Sequence, residues 1–387
     1  MAKPKKLGRR CLFRLILLVF LILFAVGIDA VVGSFYRHLT PQSGREAVAS
    51  LKGNDSVKKT GNYVQHPYLH YTARPHQVTF NIQQTNSYAH RNPEVSVERT
   101  PGVVRIMAIG GSTTNSFPYI PDPEKTWIAQ AARKLEEETG VRVEYINAGL
   151  HAGNSADLLA HWVFRNRFFK PDIVVLHMGG NDGIALQFPD YDPEYTHFTH
   201  GWRNTSLAAR PFERVLLHSN LIKVFYAHWL ADISLEAELG RDLITMHSPA
   251  NALRYVQENE PAGFERNLDL LVRNILEDGA IPVIFPFVYS RGEKLRSGPY
   301  GKYAESLQLS YEKDEVVMAG IAERYHLKTI SMPADAIRES DFVDFCHLNL
   351  SGETIKAEYV TRAVLPLISE IGPEEGVAAI GQTMPEE

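Results

Sequence analysis

The residues able to do chemistry fall in four short stretches, three of them directly after or between apolar runs. Gly110-Gly111-Ser112-Thr113-Thr114 follows the run Val103 to Ile109, so Ser112 stands where a buried strand would end. The two glycines let the backbone turn sharply there and let another group approach the hydroxyl. The same Gly-Gly-Ser is also an ordinary turn or a phosphate-binding nest. Met178-Gly179-Gly180-Asn181-Asp182 ends another run and offers Asn181, whose side-chain N–H can donate to an oxyanion; Gly, Asn and Asp also dominate plain strand-ending turns. In the loop Asn147 to Ser155, Gly153 lies just before a helix start at Ser155, where a backbone N–H has no intrahelical partner. Asp344-Phe345-Cys346-His347 sets a carboxylate within one turn of an imidazole, and such an acid can fix the tautomer and orientation of the ring.

These stretches need a scaffold that brings them together. From Val103 onward, short apolar runs alternate with longer segments of helical period, the pattern of strand, crossover helix and strand in a parallel sheet. Strands are expected at Val103 to Ile109, Val141 to Ile146, Ile173 to His177, Ile281 to Phe287 and Leu327 to Ile330. Helices are expected at Trp127 to Glu138, Ala156 to Phe169, Phe264 to Glu277 and Ser310 to Tyr325, with a last one capped by Ser351 and ending before Pro366. A doubly wound sheet of this kind brings the loops that follow its strands to one edge, where ligands bind.

The order Ser, Gly, Asn, then Asp-x-x-His resembles the four sequence blocks of the SGNH (GDSL-like) hydrolases, over roughly Val103 to Leu367. The resemblance implies a flavodoxin-like three-layer α/β/α sandwich with a five-stranded parallel sheet. It implies Ser112 as the nucleophile, His347 as its base, Asp344 orienting His347, and Ser112 N–H, Gly153 N–H and the Asn181 side chain around an oxyanion, with Gly149 as a substitute donor because the second block carries an additional residue. The family's commonest first block has Asp before the serine where this chain has Gly111. The implied activity is cleavage of a carboxylic ester, either an O-acetyl group on an extracytoplasmic glycan or a lipid ester. The alternatives are O-acyl transfer by the same triad and a binding or assembly protein with a vestigial site. No cofactor and no metal is expected: His197 and His200, and likewise His161 and His177, lack the spacing of a zinc site. Cys346 is read as a small buried filler, and the segment Asn86 to Glu94 as architecture.

The N-terminus adds a location. Lys3, Lys5, Lys6, Arg9, Arg10 and Arg14 precede an apolar run from Leu15 to Ile28 that continues past Asp29 to Val32, close to the ~20 residues that cross a bilayer. The expectation is a single-pass anchor with a cytosolic N-terminus and an extracytoplasmic catalytic domain. A cleaved signal peptide is the rival, since Ala25, Gly27 and Ala30 could flank a cleavage site. Setting those six cations aside leaves 34 Lys and Arg against 45 Asp and Glu, so no nucleic-acid partner is expected. Cys11 and Cys346 are the only cysteines, which excludes a disulfide framework. The chain divides into a basic tip and transmembrane anchor at 1–33 and a stalk or arm at 34–100. The hydrolase domain spans 101–371 with an insertion at about 183–263, and an acidic, disordered tail is expected at 372–387. His66 to Tyr71, in the arm, is expected to pack on the domain surface.

Overall fold

The computed structural model describes residues 9–41, 44, 45, 48, 63, 64, 66, 68–189, 191–195, 215–231 and 248–371. His197, His200 and the segment 372–387 lie outside the described residues. Two compact units are present, Met1–Gly61 with Gly201–Ala237 and Asn62–His200 with Glu238–Glu387.

The larger unit is built on five parallel strands, β1 (Val103–Gly110), β2 (Arg142–Gly149), β3 (Ile173–His177), β4 (Ile281–Phe285) and β5 (Lys328–Thr329), in the order β2-β1-β3-β4-β5. Gly110 pairs with both Gly149 and His177, and His177 with Phe285, so β1 to β4 end at one level. The order reverses between β1 and β3, and in open α/β sheets the crevice at such a switch point is where ligands bind. Among the described residues, the helices of ten residues or more in this unit are, in chain order, α1 (Trp127–Thr139), α2 (Ser155–Phe164), α3 (Pro249–Glu258), α4 (Ala262–Glu277), α5 (Ala304–Arg324) and α6 (Leu350–Ile371). Val104, Ile106 and Ala108 alternate along β1 toward Trp127, Ile128 and Leu135 of α1 and Val360, Val364 and Ile368 of α6. Met107 and Ile109 point the other way, and α2, α4 and α5 pack together with Leu158, Leu268, Leu271 and Ile321 buried. The result is the flavodoxin-like three-layer α/β/α sandwich.

Several element bounds differ from expectation for local reasons. β4 stops at Phe285 because Pro286 has no N–H to give the ladder. The helix expected to run to Phe169 ends at Phe164, and a 3-10 turn, Asn166–Phe169, follows. α6 starts from Asn349, whose side chain accepts from the Gly352 N–H, instead of from Ser351. It also runs through Pro366 to Ile371, because Leu367, Ile368 and Ile371 all pack on the core beyond that residue. Burial of Ile368, roughly 1.5–3 kcal/mol for a fully buried side chain, and part-burial of the others offset the lost hydrogen bond.

The segment 62–100 belongs to the larger unit. Tyr71 and Leu69 are buried, with the Tyr71 hydroxyl donating to the His151 carbonyl, while Tyr68 stays exposed and stacks on Phe164. In the smaller unit the helix Arg9–Leu39 presents an apolar surface and is followed along part of its length by the helix Asn220–Ala231.

Two buried histidines fasten this arm: His90 Nε2 bonds Asn166 Oδ1 at 3.0 Å and His161 Nε2 bonds the Tyr71 carbonyl at 2.8 Å. Burial, helped by the charge of Arg165, pushes His90 down to about 3, and burial pushes His161 down to about 4. Between those values and the ordinary 6.5 the unfolded chain binds protons that the folded chain does not. Their contribution to stability is therefore complete above about pH 6.5 and is lost as pH falls toward 3 to 4. The urea midpoint should drop between about pH 7 and about pH 5, and the double substitution His90→Gln, His161→Gln should flatten that drop. Equal slopes for the two proteins would show that these imidazoles are not the cause.

Candidate active site

Beyond β1 the chain turns into a single helical turn, Ser112–Asn115. A Cβ on Gly111 would lie 2.7 Å from Asn181 Nδ2, so a larger residue there would have to push the Asn181 amide aside. Two other elements, β2 and α6, pin the turn. Asn147 Nδ2 donates to the Thr114 carbonyl at 3.0 Å, Asn115 Nδ2 to the Gly149 carbonyl at 2.9 Å, and Lys356 Nζ of α6 to the Thr113 carbonyl at 2.9 Å. Lys356 is buried over the rings of Trp127 and Phe285, and burial lowers its pKa against the opposing charge of Glu353. Glu353 in turn accepts from Ser116 Oγ at 3.0 Å and the Trp127 N–H at 2.7 Å. From the arm, buried Arg91 donates to the Asn115 carbonyl at 2.5 Å, to Gln84 Oε1 at 3.0 Å and to the Ile120 carbonyl.

Across the sheet edge, His347 Nε2 meets Ser112 Oγ at 2.8 Å, and His347 Nδ1 meets Asp344 Oδ2 at 2.8 Å. The three-residue spacing closes on itself. Asp344 Oδ1 accepts from the N–H groups of Cys346 at 2.9 Å and His347 at 2.8 Å, an Asx-type turn that fixes the carboxylate under the ring. Burial raises the Asp344 pKa, but the hydrogen bond and charge of His347 and the two backbone donors outweigh it and hold the carboxyl well below the usual carboxylate range. Tyr119 completes the group: its hydroxyl donates to Asp344 Oδ2 at 3.0 Å and its ring stacks on His347, with centroids 4.5 Å apart.

The other two stretches meet beside Ser112. Asn181 Nδ2 donates to the Gly153 carbonyl at 2.9 Å, which leaves its second hydrogen available toward the serine. Buried Asp182 anchors this loop, accepting from the Ser155 N–H at 2.9 Å, Ser155 Oγ at 2.5 Å and Tyr195 Oη at 2.7 Å. The expected helix start is present, with Asn154 as its cap. The Gly153 N–H, however, is not unpaired. Ala152 adopts a left-handed conformation (φ 54°) and closes a turn in which Gly153 N–H donates to the Leu150 carbonyl at 3.0 Å. The Gly149 N–H is likewise taken, by Asn147 Oδ1 at 3.1 Å, and Gly149 is needed for close approach, since a Cβ there would fall 2.3 Å from the Asn115 nitrogen. The Ser112 N–H sits in the first position of its turn, where no intrahelical acceptor exists.

Leu158, Ile184, Phe287, Tyr311 and Phe345 wall a space of about 40 Å³ beside Ser112, Gly153 and Asn181. Donor atoms of Asp344, Cys346 and His347 lie within 4.8 Å of one another. They make a poor metal set, because Asp344 and His347 already bond each other and burial pushes the Cys346 thiol up, away from the thiolate a metal needs. His161 and His177 are bonded to the carbonyls of Tyr71 and Phe285. Sequence reading missed Tyr119, Lys356 and Glu353. The last two had a signal: 353, 356, 360 and 364 share one helical phase, which puts two charges on an apolar stripe. Tyr119, in a Pro-flanked loop, had none.

No protein-family model and no curated protein matches the chain. Among solved structures it is similar to an α/β hydrolase from the metagenome of Lake Arreo (16% identity, 67% of this chain and 94% of that one, TM-score 0.39). It is also similar to a lipase/acylhydrolase from Enterococcus faecalis (15%, 68% and 96%, TM-score 0.40). A third is a catalytic mutant of an acetylxylan esterase from Geobacillus stearothermophilus (15%, 69% and 96%, TM-score 0.42). The fold stands on the strand order and register themselves.

Tyr119→Phe keeps the stacked ring and removes one hydrogen bond to a charged acceptor, worth about 1.5–3 kcal/mol. Covalent labelling of Ser112 by a fluorophosphonate should slow several-fold, with the circular dichroism spectrum unchanged. An unaltered labelling rate would mean that Tyr119 does not help hold the Asp344–His347 pair.

Proposed function

We propose that this chain is a serine esterase of the SGNH kind that cleaves a short-acyl carboxylic ester, held at a membrane by its N-terminal helix. The observation that carries the reading is the unbroken hydrogen-bonded chain from Asp344 through His347 to Ser112, lying at the switch point of the sheet. A free hydroxyl is a poor nucleophile at neutral pH, and a neighbouring imidazole removes that barrier. His347 Nε2 takes the proton of Ser112 Oγ as the oxygen bonds to the ester carbonyl carbon, and ionised Asp344 stabilises the imidazolium that results. The new oxyanion is met by the Ser112 N–H and the Asn181 amide, each donor worth on the order of 3 kcal/mol. Gly153 supports Asn181 through its carbonyl, and its N–H becomes a third donor only by giving up the turn bond to Leu150. His347 then passes its proton to the leaving alcohol. Water, deprotonated by the same nitrogen, releases the acyl group as a carboxylic acid and restores Ser112.

Cavity size bears on which ester. One water needs roughly 10–15 Å³ measured this way, so the space of about 40 Å³ beside Ser112 admits an acetyl group and little more. Phe287 borders that space and also a larger cavity of about 340 Å³ beyond it. Its ring packs on Tyr311, with centroids 4.9 Å apart, and against Gly180. An O-acetylated substrate is favoured over a long-chain lipid ester on this ground. Acyl transfer to a sugar hydroxyl uses the same acyl-enzyme, and product analysis with and without an added acceptor separates the two.

Ser112 and His347 act as one unit in this mechanism. Substituting either by Ala should lower turnover of a p-nitrophenyl acetate by on the order of 10⁴-fold or more, and the double variant should lose little beyond the worse single one. Asp344, whose carboxyl His347 and two backbone donors hold well below the usual carboxylate range, should add no acidic limb to the wild-type pH–rate profile. Additive losses would show that the two do not act as one unit, and turnover that survives Ser112→Ala would overturn the serine-esterase reading.

The acyl pocket makes a separate prediction. Across p-nitrophenyl esters of increasing length, acetyl should be the best substrate and octanoyl poorer by about 100-fold or more. Phe287→Ala should move the optimum to longer chains by opening the way to the larger cavity. A wild-type preference for long chains would remove the short-acyl assignment while leaving the triad untouched.

A further inference from the structure

The smaller unit holds a second apolar feature that the catalytic reading does not use. The helix Asn220–Ala231 runs parallel to the last third of the helix Arg9–Leu39, and the two are tied at both ends. At one end Asp29 Oδ1 accepts from Ser219 Oγ at 2.6 Å and the Leu221 N–H at 3.0 Å, and Asn220 Nδ2 donates to Asp29 Oδ2 at 3.1 Å. At the other, His228 Nε2 bonds the Leu39 carbonyl at 2.7 Å. Around these ties Leu217 and Ala227 are buried with Val48, and Tyr36, Ile222 and Tyr226 pack against them. That accounts for one face of the shorter helix. The other carries Leu221, Phe225 and Trp229, spaced four apart and therefore aligned in one stripe, with 50%, 67% and 58% of their surface exposed. At the same level, Val31, Phe35 and Leu39 form an equally spaced exposed stripe on the longer helix.

We infer that the Asn220–Ala231 helix is a second membrane element, with Leu221, Phe225 and Trp229 seated in the lipid of the leaflet where the N-terminal helix ends. This rests on the anchor reading of that helix and is independent of the esterase chemistry. Three observations converge. The apolar stretch Cys11–Leu39 has 29 residues, about 44 Å of helix, which matches the ~40–45 Å of a whole bilayer including its headgroup layers and exceeds the ~30 Å hydrocarbon core. Residues 29–39 and the helix beside them therefore fall at the inner edge and headgroup layer of one leaflet. Asp29 is costly at such a depth unless it is bonded, and the N-terminal end of the shorter helix supplies an N–H, a hydroxyl and an amide to it. Finally, two adjacent stripes of large apolar side chains exceed what a water-exposed surface ordinarily carries, and a Trp and a Phe on an amphipathic helix fit the interfacial layer.

The test uses the full chain with Cys11→Ser in phosphatidylcholine nanodiscs, where buried Cys346 stays unlabelled. A nitroxide is placed at Phe225→Cys, with reference labels at Leu23→Cys in the anchor and at exposed Val316→Cys in the larger unit. Collision with oxygen, which partitions into lipid, is compared with collision with a water-soluble nickel chelate. The label at 225 should follow that at 23, favouring oxygen several-fold over the label at 316. A label at 225 that behaves like 316, or that neither reagent reaches, overturns the inference while the anchor stands. If the label at 23 also prefers the nickel chelate, the anchor reading fails and this inference falls with it. Esterase activity, measured in parallel, reports on neither.

Discussion

The site depends on one alignment: Gly110 pairs laterally with Gly149 on one side and His177 on the other, so the three central strands stop together. Nothing in the chemistry enforces this. Burial does, because a slip of one residue in β1 would turn Val104, Ile106 and Ala108 away from α1 and α6 and expose apolar faces on every strand that followed. With the register locked by the core, the loops that open after Gly110, Gly149 and His177 cannot help but meet. The Asp344–His347 loop joins them from the far side. Placement of the polar groups is thus inherited from the packing of apolar ones.

What the core leaves loose, buried polar groups tighten. The Ser112 turn has its carbonyls held by Asn147, Lys356 and Arg91, each from a different part of the chain. Burying Lys356 and Glu353 in α6 is expensive, and an apolar pair of the same volume would often be equally stable or more so. What such a pair could not do is hold the Thr113 carbonyl, the Ser116 hydroxyl and the Trp127 N–H at fixed points. The charges are better understood as geometry than as stability.

This division explains what could be read from the sequence. Strand cores such as Ile173 to His177 were legible because a buried strand must be apolar throughout, and Ser112, Asn181, Asp344 and His347 because their loops follow such runs or sit beside a fixed turn. The state of the Gly153 N–H was not legible, since it depends on Ala152 adopting a left-handed conformation that its residue type does not favour. Nor was the passage of α6 through Pro366, where packing far from the proline in sequence outweighs a local rule. Tyr119 reaches Asp344 across 225 residues, and no spacing rule spans that distance.

The hydrogen bond between His347 and Ser112 joins residues 235 positions apart. During synthesis Ser112 therefore emerges early and His347 late, with β4, α5 and β5 still to be made between them. A partly made or truncated chain carries Ser112 without the imidazole that meets it in the finished fold. The hydrogen-bonded chain from Asp344 through His347 to Ser112 closes only when the final loop docks, so its presence reports completion of the whole sheet.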